Sequence, residues 1–412
     1  ERLCRELKNL NSLSNSLGTQ ALILRDWGRL EEAMALHKEE ERLCRQLGNL
    51  DGLQASLGNQ ALILYAWGRL EEAMALTKEE ERLCRQLGNL DGLQRSLGNQ
   101  ANILYAWGRL EEAMALLKEQ ERLCRELKNL NSLSNSLGNQ ALILRDWGRL
   151  EEAMALHKEV ERLFRQLGNL DGLQRSLGNQ ALILKAWGRL DEAMTLTKEE
   201  ERLCRQLGNL DGLQRSLGNQ ANILYAWGRL EEAMALLKEQ ERLCRELKNL
   251  NSLSNSLGTQ ALILRDWGRL EEAMALHKEE ERLCKQLGNL DGLSYSLGNQ
   301  ANILRAWGRL DEAMTLTKEE ERLCRELGNL DGLQRSLGSQ ALILYAWGRL
   351  EEAMALLKEQ ERLCRQLGNI EGLCISWVNQ GAVYEKMGYP AKQIQLLEDA
   401  LALAREHTLH RL

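Results

Sequence analysis

Proline is all but missing from this chain of 412 residues: Pro390 is the single one. A stretch of 389 residues therefore passes without the residue that most often interrupts helices. Phenylalanine occurs once, at Phe164, aromatics make up 4% of the chain, and valine is scarce. A sheet protein is poorly served by that inventory, because strands are built from β-branched and aromatic side chains. No apolar run approaches the ~20 residues that a membrane-spanning helix needs, so no membrane partner is expected. The opening residues do not read as a secretion signal. An excess of basic charge is also lacking. Lys and Arg number 54 against 60 Asp and Glu, a formal net charge of −6, which gives no global case for nucleic acid. What remains is 44% hydrophobic and 28% charged residues, enough to bury a core and too apolar for disorder. The composition predicts helices.

The order of the residues is more informative. Glu-Arg-Leu recurs at Glu1, Glu41, Glu81, Glu121 and every 40 residues to Glu361. Length alone would suggest two or three domains, and the strict period replaces that expectation with one repeat array. Residues 1–40 and 241–280 are identical, as are 81–120 and 201–240, while 121–160 differs from 1–40 only at Asn139 and Val160. One position cycles through His37, Thr77 and Leu117, then His157, Thr197 and Leu237, then His277, Thr317 and Leu357. A 120-residue unit of three repeats therefore occurs three times. We read residues 1–12 as the end of a preceding repeat and 13–360 as tandem repeats in these units. Residues 361–412 read as a divergent C-terminal capping repeat. Gly388-Tyr389-Pro390 alters its helix turn, and it closes on a polar His407 and His410 tail.

Residues 48–87 show how one repeat becomes two helices. Gly48 and Asn49 end the preceding helix, Gly48 being suited to a left-handed C-terminal cap. Asp51 offers an oxygen for the next N-cap. Leu53, Leu57, Gln60, Ala61, Leu64 and Trp67 follow at helical spacing, and Gly68 ends that helix. Leu70, Ala73, Met74, Thr77, Leu83, Cys84 and Leu87 mark the second, with Glu71 and Glu72 in its first turn, where the helix dipole favours them. The short link makes the two helices antiparallel neighbours. Neither buries its apolar stripe alone, and stacking repeats solves that.

The run Leu57-Gly58-Asn59-Gln60-Ala61, then Gly68-Arg69-Leu70-Glu71-Glu72-Ala73, then Leu87-Gly88-Asn89 resembles the tetratricopeptide repeat family. It is most similar to the 40-residue version found in Pins/LGN-like cell-polarity adaptors and in bacterial multidomain signalling proteins. Ala61, Gln60 and Leu64 depart from that family's usual Gly, Leu and Tyr, and the last repeat is closer with Gly381 and Tyr384. The resemblance implies an all-α, right-handed superhelical solenoid of antiparallel helix pairs that binds proteins.

Nine of the ten cysteines share one repeat position, from Cys4 to Cys364, and Phe164 takes the same slot in one repeat. Equivalent positions in a stack lie ~10 Å apart, too far for a disulfide, which needs Cα atoms within ~7 Å. We expect buried, reduced thiols and a cytoplasmic setting. Gln20, Gln60, Gln100 and their equivalents never change, and we read them as structural amides at the repeat interface. The equally constant Trp27 to Trp347 are expected to fill the joint between the two helices.

The changing positions fall on one stripe of the first helix, at 55, 62, 65 and 66 and their equivalents. The resemblance implies that this stripe lines a concave groove. It carries Arg95, Arg175, Arg215 and Arg335 at its first position. Further along come Arg25, Tyr65, Tyr105, Arg145, Lys185, Tyr225, Arg265, Arg305 and Tyr345. Asn59, Asn99, Asn139, Asn179, Asn219 and Asn299 fall on the same face, and the family's groove uses an Asn there to hold ligand backbone. Gly58 is expected to leave space beside Asn59. With Lys386, ten basic residues face four acidic ones on this stripe, Asp26, Asp146, Asp266 and Glu385, which favours an acidic partner. Tyr with Arg is a typical anchor pairing at interfaces.

No catalytic or metal site is expected. His37, His157 and His277 would lie ~30 Å apart along the stack and cannot share a metal. No Gly-rich phosphate loop appears, no cofactor is implied, and the Glu-Glu-Glu runs read as exposed helix surface. The expected function is a scaffold binding a protein or extended peptide segment, acidic in character, and not an enzyme. The alternative is a self-assembling structural repeat array, joined end to end through the half-repeat Glu1–Leu7 or through groove contacts.

Overall fold

The computed structural model describes residues 9–406. Among them the chain forms twenty α-helices and no strand. They fall into two compact units, Glu1–Leu207 and Gly208–Leu412. In the first unit the helix pairs run from Leu10–Asp26 with Leu30–Leu47 to Leu170–Ala186 with Leu190–Leu207. In the second they run from Leu210–Ala226 with Leu230–Glu246 to Ile370–Lys386 with Pro390–Glu406. Within each unit a helix packs mainly on the helices before and after it in sequence. The half-repeat Glu1–Leu7, Cys4 and the His407 and His410 tail lie outside the described residues.

Local chemistry sets the ends of each helix. Gly48 takes the left-handed conformation, φ +66°, and closes Leu30–Leu47. The next helix, Leu50–Ala66, is capped by Asn49, whose side-chain oxygen accepts from the Gly52 amide at 3.0 Å. The expected cap at Asp51 is therefore corrected: Asp51 sits inside the first turn, where its charge meets the helix dipole. The second helix Leu70–Leu87 has no side-chain cap bond; Arg69 at its start instead reaches Glu72 through two bonds of 2.6 Å.

Packing follows the 3.6-residue stripes. Cys44, Leu53, Leu57 and Leu83 form one buried cluster that joins a first helix to the second helices on either side of it. Each such leucine contributes on the order of 1.5–3 kcal/mol when fully buried. Ala73 is completely enclosed, so a small residue is required where the two helices of a pair touch. Leu87, expected on the apolar stripe, is 37% exposed at the fraying helix end. Trp67 does not fill the joint between its helices either. It is half-buried, with the Arg69 guanidinium 6.0 Å from its ring, and it borders a cleft with Met34, Gln60 and Leu64.

The described cysteines at the recurring slot, from Cys44 to Cys364, are buried and form no disulfide. Burial pushes the Cys84 thiol up to about 11, and its Sγ donates to Gln54 Oε1 at 3.2 Å. Phe164, in the same slot, merges neighbouring clusters into a larger one with Val160, Leu137 and Leu177.

Candidate functional site

The variable stripe of the first helices faces solvent. In Leu50–Ala66, residues 55 and 59 are half-buried and 62, 65 and 66 are exposed, while Leu53, Leu57 and Leu64 point inward. In the first unit the stripe borders a cleft of about 280 Å³ that brings together Asn59, Asn99 and Asn139 with Asn102 and Arg95. Asn139 donates to Asn102 at 2.9 Å across successive repeats. Asn59 accepts weakly from Arg25 at 3.5 Å. Asn179 and Asn219 are half-buried on their helices, and Asn299 is buried with its amide nitrogen unpartnered.

Most cations of the stripe already hold a carboxylate. Arg95, Arg175, Arg215 and Arg335 pair with Asp91, Asp171, Asp211 and Asp331 one turn earlier, at 3.8, 2.8, 3.8 and 3.5 Å. The ratio of ten basic to four acidic residues is corrected by these aspartates, which lie on the same face. Arg25, Arg145 and Arg265 pair with the next residue, Asp26, Asp146 and Asp266, at 3.3, 3.0 and 2.9 Å. Tyr105 donates to Asp146 at 2.6 Å and Tyr225 to Asp266 at 2.8 Å, so these tyrosines link a repeat to its successor. Lys386 lies over the Tyr345 ring at 4.4 Å, and Tyr65 stays exposed. Lys185 and Arg305 differ: among the described residues neither takes part in an ion pair, and burial lowers the pKa of both. They are the stripe's half-buried cations without a carboxylate, whereas Lys386, also outside any ion pair, is exposed.

Beneath the stripe lies a row of buried polar side chains that sequence reasoning missed. The Glu-Glu-Glu runs are not uniformly exposed. Their middle members Glu40, Glu80, Glu200, Glu280 and Glu320 are buried, and Gln120, Gln240 and Gln360 take the same place in other repeats. These side chains occupy the space over the first-helix glycines. A methyl added to Gly58 would meet Glu80 Oε1 at 2.6 Å, so the room expected beside Asn59 is filled from below. His37 and His277 sit one turn before Glu40 and Glu280, with Nδ1 2.8 Å from the carboxylate in both cases. Glu80 and Glu320, which follow a threonine, are pushed up to about 7 by burial. The signal was in the sequence. Three and four residues separate Glu40 from His37, Leu43 and Cys44, which places them on one face.

The invariant glutamines are structural, as expected, though their partner is a carboxylate. Gln60 donates to Glu41 at 2.7 Å and Gln100 to Glu81 at 2.7 Å, each reaching back to the preceding second helix. Among the described residues no group of three His, Cys, Asp or Glu could hold a metal ion. No described helix is long and apolar enough to cross a membrane.

Comparison with known proteins agrees with this geometry. A model described as tetratricopeptide repeat matches residues 376–407. One described as Anaphase-promoting complex subunit 5 matches 32–177 and 188–266, more than half of the chain. No curated protein sequence matches. The apo quorum sensor NprR from B. thuringiensis superposes with a TM-score of 0.60 at 15% identity, covering 88% of this chain and 99% of that one. A signal transduction ATPase with a tetratricopeptide repeat sensor, from Pyrococcus horikoshii, gives 0.59 at 13% identity, over 82% of this chain and 54% of that one. A Rap protein complexed with Competence and Sporulation Factor gives 0.54 at 14% identity, over 82% and 99%. At such identities the likeness concerns the fold. With the 40-residue period, the antiparallel helix pairs and the matched models, it leads to one assignment: the chain belongs to the tetratricopeptide repeat family.

Proposed function

We propose that the chain is a protein-interaction scaffold whose first-helix stripe binds an extended, acidic peptide segment. The observation that carries this reading is the pair of half-buried cations without a carboxylate, Lys185 in the first unit and Arg305 in the second. A partly desolvated cation is costly unless an anion meets it. The stripe's amides, such as the half-buried Asn179 on the same helix as Lys185, would bond a ligand's backbone. The Rap protein of similar fold, which forms a complex with Competence and Sporulation Factor, supports a binding role for this chain. Each exposed ion pair is worth only ~0–1 kcal/mol, so affinity must accumulate over many repeats.

The test is selection from a random peptide library on the immobilised chain. Enrichment in Asp and Glu is expected, with binding that weakens in salt and falls at least tenfold in K185E/R305E. Neutral or basic selected peptides, or unchanged binding by that variant, would reject the reading.

One observation favours self-association as a second reading. Ile394, Leu397 and Leu401 form an exposed apolar stripe on Pro390–Glu406. Light scattering against concentration decides it, with L397E/L401E expected to abolish any growth in mass.

A further inference from the structure

One repeat departs from the buried polar row. At every other equivalent glycine among the described residues, from Gly18 to Gly338, a Glu or Gln side chain from the paired second helix fills the space above the glycine. Position 160 carries Val instead, and a methyl added to Gly138 would meet nothing within 4 Å. Gly138 is half-buried, whereas those other glycines are buried. The vacated space opens onto the stripe as a cavity of about 440 Å³. His157 lines it, 1% exposed, and neither ring nitrogen has a hydrogen-bond partner. In the otherwise matching repeats His37 and His277 hold Glu40 and Glu280 at 2.8 Å. The fourth repeat has kept the histidine and lost its carboxylate.

We propose that this cavity receives the carboxylate side chain of a bound peptide, which takes the place that Glu40 and Glu280 hold elsewhere. The inference rests on the peptide-binding reading and names its anchor. Val160 and Phe164 give an apolar wall for the methylenes of a glutamate. His157 Nδ1 then donates to the carboxylate, as the other two histidines are placed to do. Asn135 and Asn139 stand at the mouth, where a peptide backbone would pass. Burial and the Arg145 charge push His157 down to about 4, so the empty pocket holds a neutral imidazole. The charged groups on the two flanking first helices are Arg145, paired with Asp146, Arg175, paired with Asp171, and the unpaired Lys185, so the rim offers no unpaired carboxylate to repel the ligand.

The experiment titrates the full chain with N-acetylglutamate amide, and with N-acetylglutamine amide as control, while following the ¹⁵N resonances of its histidines. A saturable shift of the His157 nitrogens is expected with the glutamate derivative and not with the glutamine one. V160E, which recreates the His37–Glu40 arrangement, is expected to fold as the parent does, and the double variant H157L/V160Q copies Leu117 and Gln120. Both should lose the response. No saturable shift in the parent chain would overturn the proposal, leaving a water-filled cavity only. So would an equal shift in V160E. The peptide-binding reading fails separately. If library peptides bind the parent chain and V160E alike, the stripe binds without this anchor. If K185E/R305E leaves peptide binding intact while the glutamate derivative still shifts His157, the anchor stands and the role of the stripe's cations does not.

Discussion

Nδ1 of His277 lies 2.8 Å from Oε2 of Glu280, with both side chains sealed beneath the stripe of the second unit. Removing one partner of a buried pair strands the other, at a cost of ~3–5 kcal/mol. H277L should therefore be strongly destabilising in urea denaturation. Adding E280Q should restore most of the loss, because Leu with Gln is the combination already found at Leu117 and Gln120. A double-mutant cycle without coupling between the two changes would contradict the pairing.

Glu80 and Glu320 give stability an unusual pH dependence. Their folded pKa values, about 7, are raised above the ordinary 4.5. The folded chain thus binds more protons than the unfolded one between those values. Their favourable contribution is complete below pH about 4.5 and is lost as pH rises through about 7. E80Q/E320Q should match the parent near pH 4.5 and exceed it at pH 8, by roughly 1–3 kcal/mol per carboxyl. Equal stability differences at the two pH values would refute the assignment.

Lys128 and Lys248 stand where other repeats place a left-handed glycine, and they hold φ +54° and +55°. That conformation costs an ordinary residue ~1 kcal/mol. K128G and K248G should each raise the melting temperature by a few degrees, with the net gain trimmed by glycine's larger unfolded-state entropy. A fall in melting temperature would show that the strain is absorbed elsewhere.

Adjacent amides in one helix should respond differently to truncation. Gln100 bonds Glu81 at 2.7 Å across the repeat joint, and Q100A should cost ~1–3 kcal/mol. Asn99, half-buried on the stripe, should tolerate alanine within about 0.5 kcal/mol. Thermal denaturation of the two variants separates a structural amide from one free to meet a ligand.

The helix pairs were legible because glycine and asparagine punctuate each 20-residue half-repeat, and a left-handed Gly48 can only be a helix end. The cap was misplaced at Asp51 because Asp and Asn are both capping residues. The backbone after Gly48 selects the first one available. Charge misled more deeply. Glu40 shares a face with His37 and Cys44, but a run of three glutamates reads as solvated surface until a helix is packed over it. Likewise Asp91, one turn before Arg95, was visible and its neutralising effect was not weighed. Val160 stood out as a difference between near-identical repeats. Its meaning needed the knowledge that Glu40 fills the room above Gly18. That is a contact between helices and is not written in either one alone.

The tyrosine links bear on how such an array changes length. Tyr105 meets Asp146, and 120 residues later Tyr225 meets Asp266. Excising the 40 residues 121–160 would keep the helical frame and bring Ala186 to the place of Asp146, leaving the phenol without its acceptor. Excising 120 residues returns a Tyr–Asp junction at the seam. The link between repeats is thus kept when the three repeats 121–240 are removed together and lost when 121–160 is removed alone.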